Sequence, residues 1–198
     1  MSVILGLEVC IRTPPNLIRG RRFGLLMNQA SVDRDFQSAH TLLHHRFPGQ
    51  MGALFGPQHG LFSEQQDNMI ETAHTRDAKL GIPIYSLYAE QRKPSRDMLK
   101  GLDLFLVDLQ DVGTRVYTYV WTLSYCLEAC ADVGIPVLIL DRPNPLGGVI
   151  VEGPLLNEKF ASFVGRASIP MRHGLTLGEM AHYLNDTKHI GADITVVP

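Results

Sequence analysis

The stretch Leu102-Asp103-Leu104-Phe105-Leu106-Val107-Asp108-Leu109-Gln110-Asp111-Val112-Gly113-Thr114-Arg115 begins as one kind of sequence and ends as another. Its first eight residues are apolar apart from two aspartates and show no regular polar alternation, which is how a strand covered on both faces reads. The rest turns polar, placing carboxylates and a guanidinium where the buried strand ends. Similar short apolar runs recur outward from this point, at 23–27, 51–55, 82–87, 135–140 and 194–197. Helical stretches fall between several of them. Over 116–133, Val116, Val120, Leu123, Leu127 and Cys130 repeat at three- and four-residue spacing and predict one apolar helix face, with Gly134 as a stop. Residues 38–47 predict a shorter helix. A third begins near Thr176, where Glu179 completes a capping box, and continues through Met180, Ala181 and Leu184. Strands alternating with helices predict an α/β fold, a Rossmann-like layer sandwich with a mostly parallel sheet. In such sheets ligands gather beyond the carboxyl ends of the strands, so residues just after each strand carry the most weight.

The 198 residues suffice for one good core, and a single domain over 1–198 is expected. Hydrophobic residues make up 45% and charged residues 19%, which excludes a disordered chain. Eighteen basic and 20 acidic residues leave a formal charge of −2, so no strong field favours nucleic acid or an anionic membrane. Cys10, Cys126 and Cys130 lack Cys-x-x-Cys spacing, which argues against a disulfide framework or structural zinc. Cys126 and Cys130 fall on a helix face. Residues 1–15 have no basic residue before their short apolar run and so do not read as a secretory signal, and no apolar stretch reaches membrane-spanning length. The expected location is cytoplasmic as written, or periplasmic or secreted if the start is truncated. Residues 143–170, rich in Pro and Gly, predict a long irregular excursion of the kind that is usually functional.

Polar residues collect at the strand ends. Asn28-Gln29-Ala30-Ser31 lacks the Gly-x-Gly-x-x-Gly that admits a pyrophosphate, so no dinucleotide cofactor is expected. Gly56-Pro57-Gln58-His59-Gly60, with Glu64 close behind, reads either as a solvated tight turn or as a rigid loop presenting Gln58, His59 and Glu64 to a cleft. Asp108, Asp111 and Arg115 are costly to bury unless paired, so either Arg115 neutralises a carboxylate or the group meets a ligand. Tyr117 and Tyr119 follow. Asp141-Arg142-Pro143-Asn144-Pro145 again supplies a carboxylate, a guanidinium and an amide, on a backbone fixed by two prolines. Glu152, between Val151 and Gly153-Pro154, reads as a proton donor whose acidity is tuned by an apolar setting, or as an exposed Glu beside a turn. His173 reads as a ligand contact or as part of a helix cap. His40 and His44 have metal-ligand spacing, but Gln37 and His45 beside them suggest a solvated face, and no metal is expected.

Taken together, FGPQHG at 55–60, PIYSLY at 83–88, RKPS at 92–95, DLQDVGTRVYTY at 108–119, LDRPNPLGG at 140–148, VEGP at 151–154, SFVG at 162–165 and RHGLTLGE at 172–179 resemble the exo-lytic β-N-acetylmuramidases, a family long known only as a domain of unknown function. The motifs span nearly the whole chain, in order. The resemblance implies a Rossmann-like N-terminal domain, a smaller C-terminal domain with the cleft between them, and hydrolysis of terminal β-1,4-linked N-acetylmuramic acid from peptidoglycan fragments in cell-wall recycling. Glycoside hydrolysis needs a proton donor and a second carboxylate. Glu152 or Glu64 would be the donor and Asp111 the second carboxylate. Gln58, His59, Arg115, Tyr119, Asp141, Arg142, Asn144 and His173 would bind the muropeptide. Two departures matter. The family's loop commonly reads Gly-Pro-Glu-His-Gly, whereas this chain has Gln58, an amide that cannot exchange a proton at neutral pH. The chain also ends at Pro198, before the place expected for the smaller domain, which is read as absent. These departures support a second expectation, a catalytically silent muropeptide-binding or interaction module. A metal-dependent hydrolase built on Asp108, Asp111, Asp141 and His59 ranks behind both, for want of compact ligand spacing.

Overall fold

The apolar runs become the middle of a mixed sheet in the computed structural model, which describes residues 3–57, 75–88 and 91–198. In chain order the strands are β1 (Phe23–Met27), β2 (Met51–Gly56), β3 (Thr75–Arg76), β4 (Pro83–Ser86), β5 (Leu104–Asp108), β6 (Val137–Leu140) and β7 (Ile194–Val197). Among the described residues they form a seven-stranded sheet in the order β3-β4-β2-β1-β5-β6-β7. Every pairing is parallel except that of β3 with β4. β1, β2, β5 and β6 are buried along their whole length, as their unbroken apolar sequences require, while β4 and β7 toward the edges are largely half-buried. The α/β layer architecture expected from the sequence is the one observed.

Helices cover both faces. α1 (Gly6–Arg12) and α2 (Ala39–Arg46) close one side over Leu25, Leu54, Leu106 and Leu138. α3 (Arg96–Leu99), α4 (Tyr119–Ala131) and α5 (Leu177–Thr187) close the other over Phe55, Phe105, Val107 and Ile139. Each large apolar side chain fully removed from water contributes about 1.5–3 kcal/mol before entropy is counted. α5 begins with the predicted capping box: Thr176 Oγ1 accepts from the Glu179 N–H at 3.2 Å, and Glu179 accepts from the Thr176 N–H at 2.8 Å. No helix among the described residues is long and apolar enough to cross a membrane.

The structure differs from the sequence reading in three respects. α4 starts at Tyr119, and Val116, assigned above to its apolar face, precedes it and is 45% exposed. The chain from Asp111 is held in an irregular turn instead, because Gly113 takes a φ of 84° and the Arg115 N–H donates to Met171 O. α4 is also buried nearly all round rather than on one stripe. The 143–170 excursion folds back over it: Arg166 donates to Ser124 Oγ and Glu128, its guanidinium lies 3.6 Å from the Tyr125 ring centre, and Lys188 donates to Arg166 O. The third difference is that α1, α3 and β3 are not predicted, since none carries a periodic apolar pattern long enough to read.

Candidate functional site

From β1 the chain builds the sheet outward through β2 and β4, then returns to place β5 on the other side of β1. The carboxyl ends of β1 and β5 therefore flank the topological switch point, where α/β sheets form their ligand crevices. Asn28, the first residue beyond β1, is 1% exposed and closes the base of this crevice: its Nδ2 donates to Gln110 O at 3.0 Å. Ser31 Oγ accepts from the Asn28 N–H at 2.9 Å and donates to Asp108 O. Neither residue was among the predicted site residues. The available signal was position, two small polar side chains directly after the central strand.

Asp108 ends β5 and is completely buried. Arg142 grips it with a fork, Nε to Oδ1 at 2.6 Å and Nη2 to Oδ2 at 2.9 Å, and also donates to Val32 O. Burial pushes the Asp108 carboxyl up from its ordinary value, and the Arg142 guanidinium pulls the other way. The sequence reading offered Arg115 as the neutralising cation. Arg142 takes that place because β5 and β6 are parallel neighbours, which sets the residues just after one beside the end of the other. Arg115 instead donates to the carbonyls of Pro154 and Ile169, at 2.8 and 2.6 Å, and so anchors the excursion. Trp121, fully buried, donates to Arg115 O and satisfies its indole there.

Asp111 and His173 meet above this pair. Asp111 is 6% and His173 5% exposed. Asp111 Oδ2 accepts from the Gly113 N–H at 2.8 Å and lies 3.4 Å from His173 Nε2, while His173 Nδ1 accepts from the Leu175 N–H at 3.2 Å. Asp111 Oδ1 and His173 Nε2 are both buried with no hydrogen-bond partner among the described residues.

Isolated bridges join Thr114 to Arg172 and Arg172 to Glu152, bringing Glu152 to the same rim. Of the two settings read for Glu152, apolar or exposed beside a turn, the second is found: its side chain is 64% exposed and pairs with Arg172 at 3.2 Å, because the Val151-to-Pro154 backbone runs along the surface. Asp141 is engaged inward. Its Oδ1 accepts from the Arg142 and Gly178 N–H groups and its Oδ2 from Thr176 Oγ1, so a carboxylate sits on the N-terminus of α5. Gly178 is needed for this approach, since a Cβ there would come within 2.9 Å of Asp141 Oδ2. Asn144 donates to Leu175 O and accepts from the Leu146 N–H, and its Oδ1 lies where a Cβ on Gly113 would be. Tyr119 is 2% exposed, its hydroxyl engages the Asn28 and Gln29 side chains, and burial pushes it up to about 12.

Gln58, His59 and Glu64 lie outside the described residues. Asp111, Arg115, Glu152 and His173 are thus gathered at one rim, whereas Asp141, Arg142, Asn144 and Tyr119 are held by internal bonds beneath or beside it. Among the described residues no cluster of three or more His, Cys, Asp or Glu side chains could hold a metal. What the rim offers is hydrogen bonding to a polar, neutral or anionic molecule: a carboxylate oxygen, an imidazole, and the partly exposed Arg172, whose Nε is buried without a partner among the described residues.

The chain matches known proteins over nearly its full length. Residues 23–198 match the family model described as the N-terminal part of the exo-β-N-acetylmuramidase NamZ. The peptidoglycan β-N-acetylmuramidase NamZ of Bacillus subtilis (strain 168) is 43% identical over 196 residues, covering 99% of this chain and 47% of that protein. Two crystal structures of DUF1343 family proteins from Bacteroides fragilis NCTC 9343 superpose with TM-scores of 0.89 and 0.85, each at 35% identity. They cover 98% and 100% of this chain and 49% and 52% of their own. The chain spans about half the length of the relatives it matches. With the sheet, the crevice and these matches in agreement, the chain belongs to the exo-β-N-acetylmuramidase NamZ N-terminal family.

Proposed function

We propose that this chain provides the N-terminal, sugar-binding half of an exo-acting glycoside hydrolase that removes terminal β-1,4-linked N-acetylmuramic acid from peptidoglycan fragments. The observation that carries the reading is the 43% identity, over 99% of this chain, to a peptidoglycan β-N-acetylmuramidase. The rim geometry is compatible with it. Asp111 is the carboxylate best placed to face a ligand, since Asp108 and Asp141 are taken up by Arg142 and the α5 N-terminus. Glu152 stands across Arg172 from the same turn and is the second carboxylate of the rim. Arg172 is the guanidinium suited to the lactyl carboxylate of N-acetylmuramic acid: although it meets Glu152 and Leu146 O, it is partly exposed and its Nε has no partner among the described residues, whereas Arg115 and Arg142 are buried on internal partners.

A second reading is favoured by one residue. Gln58 stands where the resemblance calls for Glu, which suits a module that binds muropeptides without cleaving them. Release of N-acetylmuramic acid from a chromogenic β-N-acetylmuramide, by this chain and by Gln58→Glu, separates the two. Release by the unaltered chain supports hydrolysis with Gln58 in place. Release only by Gln58→Glu supports the silent module. Failure of both, together with no binding of N-acetylmuramic acid, removes the proposal.

A further inference from the structure

We infer that Asp111 and His173 form a coupled pair in which His173 is a positioning residue and Asp111 Oδ1 accepts a hydrogen bond from a hydroxyl or amide of the bound sugar. The inference deepens the function proposed above and rests on it for the identity of the ligand. It begins from the Leu175 N–H, which can only donate. His173 Nδ1 accepts that bond at 3.2 Å, so Nδ1 carries the lone pair and the neutral ring carries its hydrogen on Nε2. Nε2 faces Asp111 Oδ2 at 3.4 Å, longer than a formed hydrogen bond, and such contacts tighten when a ligand closes the site. The Gly113 N–H holds the same oxygen at 2.8 Å. One oxygen of the carboxylate is therefore held by the Gly113 N–H with His173 Nε2 standing beside it, and Oδ1 is left buried without a partner among the described residues. A buried acceptor with no donor is an unstable arrangement that a ligand donor relieves. An N-acetylated amino sugar brings both kinds, hydroxyl O–H and acetamido N–H. His173, predicted from the sequence to touch the ligand or to assist a cap, is assigned instead to the far side of Asp111. The other charges around the pair are the Arg172–Glu152 pair bridged to Thr114, Arg115 on its two carbonyls, and the Asp108–Arg142 fork.

Two isosteric replacements separate positioning from mere packing. His173→Asn keeps an acceptor near the Nδ1 position for Leu175 and removes the donor to Asp111; His173→Gln keeps a donor near the Nε2 position. Binding of N-acetylmuramic acid to the 198-residue chain, measured by calorimetry, is expected to weaken about tenfold in His173→Asn and by less than about threefold in His173→Gln. The opposite order overturns the inference, because it would show that the Leu175 bond alone matters. Long-range ¹H–¹⁵N correlation on histidine-labelled protein, with the His173 signal identified by its loss in His173→Asn, reads the tautomer without any ligand. A protonated Nε2 and bare Nδ1 support the pair, and a protonated Nδ1 overturns it. If the unaltered chain binds no N-acetylmuramic acid, the proposed function fails while the tautomer still decides the pair.

Discussion

Two arginine–carboxylate forks in this protein have the same geometry and different surroundings. Arg142 meets Asp108, and Arg34 meets Glu8, each through one contact of 2.6 Å and one of 2.9 Å. The Arg142 fork is sealed, with side chains 4% and 0% exposed; in the other, Arg34 is 48% and Glu8 8% exposed. Distance alone would rate them equal. The surroundings separate them, since removing the half-exposed Arg34 opens Glu8 to water, whereas nothing replaces Arg142 around a buried Asp108. The sealed fork ties the ends of β5 and β6 together under the rim. The open one ties α1 to the loop after β1, at the surface.

The contrast is sharpest when one partner is removed. Arg142→Ala is expected to cost about 3–5 kcal/mol in urea unfolding, because it strands a buried carboxylate. Replacing both partners, Asp108→Leu with Arg142→Met, should recover most of that loss while leaving N-acetylmuramic acid binding impaired; a double variant as unstable as the single one would break the argument. Thr176→Ala removes a cap that also bonds Asp141 and is expected to cost about 1 kcal/mol by the same measurement. The smallest effect is predicted for Arg34→Ala at neutral pH, less than about a fifth of that for Arg142→Ala. Its signature is its pH dependence. The Arg34 fork and the Leu5 N–H hold the Glu8 carboxyl at about 2 instead of the ordinary 4.5. The stabilisation is therefore fully present above pH 4.5 and is lost as the pH falls through 2. Melting temperatures of the parent and Arg34→Ala should differ slightly above pH 4.5 and converge toward pH 2. A gap that widens in acid would contradict this reading of the open fork.

The buried half of the molecule was the legible half. β1, β2, β5 and β6 announce themselves because strands covered on both faces leave little room for polar residues. The α5 capping box was legible because both halves of its bond pair lie within four residues. The partner of Asp108 was not, since choosing Arg142 over Arg115 requires knowing that β6 lies beside β5. Nor was the inward role of Asp141, whose partners Thr176 and Gly178 lie 35 and 37 positions away. The two readings of Glu152 could not be separated from its apolar neighbours alone: Val149, Ile150 and Val151 are themselves exposed, so they do not desolvate it. In the candidate site, sequence picked out the strand ends where these polar residues gather but could not show which side chains hold one another, as Arg142 and Asp108 do.

The place of β1 at the centre of the sheet has a consequence for synthesis. β1 can pair with β2 soon after both leave the ribosome, but its other edge waits for β5, and Asn28 and Gln110, which join just beyond these two strands, are 82 positions apart. Until then the nascent chain carries an apolar strand with one open edge, a template for pairing with the wrong neighbour. Growth of the polypeptide through β5 thus closes that edge of β1 and joins the two strand ends that flank the crevice, and passes the open edge on to β5 until β6 covers it.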